Sequence, residues 1–214
     1  MDRSFPPGDP SLISRTLELG ERDGVPVYIA TTSRPYATTA ADLWDALSNP
    51  ERLKRWFLPV TGDLVEGGRY QFEGNAGGTI TACIPNERVE ATWEFGGGVS
   101  WITVTIASES ETTAVMTLVH TSPIHQPFWD QYGPGATGIG WDLALDGAAM
   151  HFAEPGRVMD ETEFISSEAG LRFIATSSAH WRDASIAAGT DAEQAKQAAD
   201  RSTAFFSGLP EPDQ

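Results

Sequence analysis

The sequence predicts an α+β fold in which one long helix lies across an antiparallel sheet, followed by a pair of further helices. Three observations carry this. Nearly all of residues 25–121 alternates apolar and polar positions in short runs separated by Gly- and Asn-containing turns, the pattern of consecutive antiparallel hairpins. Residues 133–152, GPGATGIGWDLALDGAAMHF, then change to helical spacing. There Trp141, Leu145, Ala148 and Phe152 fall at i, i+4, i+7 and i+11, with Asp142, Asp146 and Ala149 on another face. Beyond Phe152 the composition shifts to two more stretches at helical spacing, joined near Gly189.

In chain order, residues 1–24 combine Pro6, Pro7 and Pro10 with scattered charge and read as a loosely attached N-terminal arm, within which SLISRTLEL can add a short strand. VPVYIATTSRPY, rich in β-branched and aromatic residues, is the first strand. Thr39 with Asp42 at N3 starts a short helix whose stripe is Leu43, Trp44 and Leu47. Asn49 caps a second, with Pro50 at N1, where a missing N–H costs nothing. Leu53, Trp56 and Phe57 are its expected buried side. Five strands follow, GGRYQFEG, GGTITACIP, RVEATWEF, SWITVTIAS and TAVMTLVHT, a meander whose edge the Val25 strand closes for about six strands in all. SPIHQPFWDQY reads as an irregular link to the long helix. After it, Leu171, Ile174, Ser178 and Trp181 share one helical face. Asp191 with Gln194 opens a last helix with the mostly small face Ala195, Ala198, Ser202, Phe205 and Phe206.

Length and charge narrow the function. A chain of 214 residues holds one sizeable core plus an appendage and does not require two independent domains. No apolar run approaches the roughly 20 residues that cross a bilayer. The N-terminus has no basic region leading into an apolar one, so a secretory signal is not expected and the cytoplasm is the default. The single cysteine, Cys83, excludes an internal disulfide and a Cys-rich zinc site, and within TITACIP it is expected to be a buried structural thiol. A formal charge of −16 and a pI near 4.4 oppose binding to nucleic acid or to anionic membrane surfaces.

Few residues carry a chemical signature. GPGATG matches G-x-G-x-x-G literally, but that fingerprint needs a preceding strand within a parallel βαβ unit, and HQPFWDQY precedes it here. These glycines instead suit a sharp turn and a close approach of the helix to the sheet. His120 and His125 lack a third ligand, so no metal is expected. There is no G-x-S-x-G elbow, and Asp142, Asp146, Glu73, Glu90 and Glu94 all fall off the inner faces. His120, Tyr70 and Tyr132 are left as weak candidates for acid–base chemistry.

The stretches TTAADLWDALSNPERLKRWF, GDLVEGGRYQFEG, IPNERVEATWEF and TLVHTS before a GW-containing helix resemble the helix-grip proteins of the Bet v allergen and START-like (SRPBCC) superfamily. Within it they are most similar to the bacterial branch named after the C-terminal domain of the activator of the heat-shock-protein-90 ATPase. The resemblance covers residues 25–153, and residues 154–214 resemble the helical extension of some bacterial members. It implies a cavity between the sheet and the long helix that takes an apolar or aromatic small molecule, and with no catalytic constellation in the sequence that binding is expected to be without chemistry or cofactor. By position, the lining would be Trp56, Phe57, Tyr70, Phe72, Trp93, Met116, Leu118, His120, Trp141 and Leu145, with either Trp101 or Ile102. The alternatives are a cyclase- or aromatase-like or hydrolase-like enzyme using a cavity His or Tyr, and a chaperone-regulating or homodimeric interaction protein. The C-terminal helices would then either dock on their own domain or exchange with a second copy.

Overall fold

The computed structural model describes residues 5–156 and 161–210. The first four residues of the expected arm, and residues 157–160 and 211–214 of the expected extension, lie outside them. The strands are β1 (Ser14–Arg22), β2 (Val25–Tyr36), β3 (Val60–Gly62), β4 (Arg69–Phe72), β5 (Gly77–Ile84), β6 (Arg88–Phe95), β7 (Gly98–Ser108) and β8 (Ala114–Pro123). They form one antiparallel sheet in the order β1-β2-β8-β7-β6-β5-β4-β3. The meander and its closure by β2 on β8 are as expected. The sheet has eight strands rather than about six, because SRTLELGER pairs along its whole length with β2 and VTG pairs with β4.

Between β2 and β3 stand α1 (Ala40–Ser48) and α2 (Pro50–Leu53). Thr39 and Asn49 cap them by accepting the amides of Asp42 and Glu51. α2 is a single turn, so Trp56 and Phe57 belong to the turns after it rather than to a helical face. The link after β8 is also more regular than expected. His125 and Gln126-Pro127 start α3 (Gln126–Tyr132), which ends at Gly133 with φ +55°. The long helix is α4 (Gly135–Ala153), followed by α5 (Glu161–Ser166), α6 (Glu168–Ala187) and α7 (Ala192–Ser207).

α4 departs from the amphipathic expectation. Every residue from 141 to 149 is buried, because β3–β8 of the curved sheet cover one side while its β1–β2 end, the N-terminal segment and α6 cover the other. Asp142 and Asp146, expected off the apolar face, are 0% and 1% exposed. The N-terminal segment is correspondingly not loose. The Gly8 amide donates to both oxygens of Asp146, at 2.8 and 2.9 Å.

Gly135 and Gly138, in the first turn of α4, serve a different contact from the one the sequence suggests. A Cβ on Gly138 would sit 2.3 Å from the Trp181 ring of α6, and one on Gly135 would sit 2.9 Å from Ser202 Oγ of α7. They bring α4 close to the C-terminal helices, not to the sheet. Gly138→Ala gains helix propensity but overpacks a rigid indole, and the expected net loss is about 2 kcal/mol of unfolding free energy. Urea titration of wild type and variant measures it, and equal midpoints would contradict the packing.

Candidate functional site

Between the curved sheet and α4 lies a cavity divided in two. The outer chamber, about 720 Å³, is bounded by the start of β7, the end of β8, α3, the first turns of α4 and the end of α7. The inner one, about 560 Å³, lies under α1 and against the concave face of β3–β8. Trp56, Phe57, Trp93, Trp141 and Ala144 line both. Trp93 meets Trp141 edge-on with centroids 4.9 Å apart, and Phe57 lies along Trp141 at 6.4 Å. The aromatic side chains therefore form the wall between the chambers.

The sheet pleat places the remaining residues. Tyr70, Phe72, Met116, Leu118 and Leu145 line the inner chamber only, and His120 the outer only. Ile102 pairs with His120 across the strands and so shares its face, lining the inner chamber. Its neighbour Trp101 points the other way, with the Arg22 guanidinium 3.8 Å above its ring. Cys83 is half-buried rather than buried. A register shift between Ile80 and Ala82 turns it toward the inner chamber, which it lines.

His120 is 2% exposed, and both of its ring nitrogens are engaged. Trp141 Nε1–H donates to Nδ1 at 3.1 Å, so Nδ1 carries no proton and Nε2 does. Nε2 donates to Ser100 Oγ at 2.8 Å, and Ser100 Oγ–H donates to the Trp93 carbonyl at 3.1 Å. Burial holds the imidazole down at about 4, neutral throughout the neutral range. Tyr70 is similarly committed. Its hydroxyl donates to the Thr92 carbonyl at 2.6 Å, and burial pushes the phenol well above its ordinary value. Both groups hold the cavity wall together, and neither presents a proton or lone pair poised for transfer.

Behind α4, on the side away from the cavity, sits a buried charged layer. Asp142 accepts from Arg15 Nε at 2.7 Å, Trp181 Nε1 at 2.9 Å, Thr32 Oγ1 at 3.2 Å and the Ser177 hydroxyl. Burial raises its carboxyl, while Arg15, Ser177 and Trp181 pull the other way. One turn on, Asp146 lies 3.5 Å from Arg34 Nη2, and Arg34 Nη2 also donates to the Pro6 carbonyl at 2.7 Å. Burial pushes Asp146 up to about 6 against the Gly8 amide and Arg34. This layer fixes the rotation of α4, and with it the direction in which Trp141 points.

Periodicity alone does not reveal the outer wall. Phe128, Trp129 and Tyr132 of α3 and Ser202, Phe205 and Phe206 of α7 line the outer chamber, although α3 reads as a link and α7 as a small packing face. The one signal available is the density of aromatic residues in SPIHQPFWDQY, more than an exposed connection needs.

An antiparallel sheet gripping a long helix over an aromatic-walled cavity defines a helix-grip protein of the START-like (SRPBCC) class. The chain belongs to the family described as Activator of Hsp90 ATPase homolog 1-like protein, whose model matches residues 37–153. Among solved structures it is similar to CalU16 from Micromonospora echinospora. In solution the match has 22% identity and a TM-score of 0.71 over 88% of this chain and 100% of that one. In the crystal it has 23% and 0.65 over 83% and 99%. The protein EF2215 from Enterococcus faecalis matches with 14% identity and a TM-score of 0.58 over 83% and 93%. At these identities the likeness establishes the fold. Among curated proteins none matches. No helix among the described residues is long and apolar enough to cross a membrane.

Proposed function

We propose that the protein binds an apolar or aromatic small molecule between the sheet and α4 and leaves it chemically unchanged. The observation that carries this reading is the divided cavity. Each chamber has the volume of a small-molecule site, a few hundred to about 1,000 Å³, and indole and phenyl rings form the wall between them. A core needing only stability would close such space, since each void forfeits contacts. The engagement of His120 and Tyr70 favours binding over the cyclase-like or hydrolase-like alternative. Chaperone regulation has the family description as its sole support.

Native mass spectrometry of the purified chain is expected to show a retained small molecule, or uptake of the neutral apolar fluorophore N-phenyl-1-naphthylamine. Ala144 faces both chambers, so Ala144→Phe fills space in each and is expected to weaken uptake at least about tenfold, the effect of a few lost apolar contacts. A wild-type protein that carries nothing and does not brighten the fluorophore would end this reading.

A further inference from the structure

We propose that His120 keeps the cavity divided, and so selects short or compact apolar ligands over extended ones by holding Trp141 in place. This rests on the cavity-binding reading above. Three of the rings that line both chambers are indoles. Trp93 is half-buried, whereas Trp56 and Trp141 are buried and their N–H groups must find an acceptor. Trp56 Nε1 has the Ala46 carbonyl at 3.0 Å, a backbone atom of α1. Among the described residues, Trp141 Nε1 has only His120 Nδ1, at 3.1 Å, a side chain on the opposite wall. The bond spans from α4 to β8 and draws the Trp141 ring between the chambers. There it packs against Trp93 and Phe57.

The rest of the relay holds the histidine in the required tautomer. Nε2–H is committed to Ser100, whose hydroxyl is committed to the carbonyl of Trp93, itself part of the wall. The same run of hydrogen bonds therefore joins two wall residues on facing elements. Without the Nδ1 acceptor, the Trp141 N–H would be left buried in an apolar site. The indole then turns to reach another acceptor, and the gap joins the chambers. His120 is thus a positioning residue. Its effect is on the length of ligand admitted, not on contact with the ligand itself.

Displacement of N-phenyl-1-naphthylamine by straight-chain alcohols from octanol to tetradecanol tests this on the full chain. In wild type, affinity should rise about fourfold per added carbon, the increment of a buried methylene, until the extended chain reaches the aromatic wall, and then level off. His120→Leu should abolish the plateau, so that affinity keeps rising to tetradecanol. His120→Asn, whose amide oxygen occupies the place of Nδ1, should restore it. Trp141→Phe, which removes the donor without touching the histidine, should behave like His120→Leu and carries the test should that variant not fold. Hydrogen exchange at the Trp141 indole should be slow in wild type and His120→Asn and fast in His120→Leu. The same plateau in all the variants, or none in wild type, overturns the division while leaving cavity binding standing. Failure of the fluorophore to bind wild type removes the cavity reading itself.

Discussion

Asp142→Leu is expected to cost about 3–5 kcal/mol of unfolding free energy, the scale of breaking one side of a buried ion pair. Arg15 and Asp142 side chains are 3% and 0% exposed, so removal of the carboxylate leaves a guanidinium without its counter-charge in a site with little water. The indole N–H of Trp181 and the hydroxyls of Thr32 and Ser177 lose their acceptor at the same stroke. Against a total stability of about 5–15 kcal/mol for a domain, such a variant would be at the edge of folding. Arg15→Met with Asp142→Leu should recover most of the loss, since it removes both charges and leaves apolar volume in their place. Urea unfolding of wild type, both single variants and the pair gives the coupling energy directly. Additive single effects, or an Asp142→Leu protein within about 1 kcal/mol of wild type, would show that the pair does not anchor the helix.

The consequence reaches the cavity because Asp142 follows Trp141 in the chain. On a helix, adjacent residues point about a quarter-turn apart, so the anchor behind α4 sets the angle of the ring in front of it. The N-terminal segment through Gly8 and Pro6, β1 through Arg15, β2 through Arg34 and α6 through Trp181 all converge on two carboxylates one turn apart. Segments outside the matched family region, residues 37–153, thereby take part in orienting the residue that divides the cavity.

The strands were legible because alternation with period two is visible residue by residue, and the caps at Thr39, Asn49 and Asp191 because their chemistry is local. The inner face of the meander, with Tyr70, Phe72, Trp93, Met116, Leu118 and His120, followed from that parity and from the family resemblance. What lay beyond reach was long-range pairing. Two aspartates on a helix read only as lying off the apolar face until their arginine partners, 127 residues away for Arg15, are brought to them. Nothing local in Arg15 or Arg34 announces that role. The glycines of GPGATG likewise announce a close approach but not its partner, because the Trp181 ring that needs Gly138 lies on a later helix. At Cys83 the simple alternation fails because the register shift changes the parity of β5.

The pH dependence of stability should carry the signature of His120. Its imidazole titrates at about 4 in the folded chain and at 6.5 as an ordinary histidine. Between those values the unfolded chain binds the extra proton and the folded one does not, so folding stability falls as pH falls through that window. The full shift corresponds to about 3 kcal/mol. Asp146 works in the opposite sense. Its carboxyl, raised from 3.8 to about 6 by burial, takes up its proton earlier in the folded state, so its contribution grows on acidification through about 6 and is complete below 3.8. In wild type the two slopes oppose each other over nearly the same range, and the stability curve is flattened by their sum. His120→Asn removes the first and leaves the second. From pH 7 to pH 4.5, wild type should therefore lose about 2–3 kcal/mol relative to His120→Asn, whatever constant offset the substitution introduces. Urea unfolding of both proteins across that range reads the difference. Parallel curves would mean that His120 protonates in the folded chain as freely as in the unfolded one, which the bond from Trp141 to Nδ1 forbids: a proton on that nitrogen would set one N–H against another across the wall of the cavity.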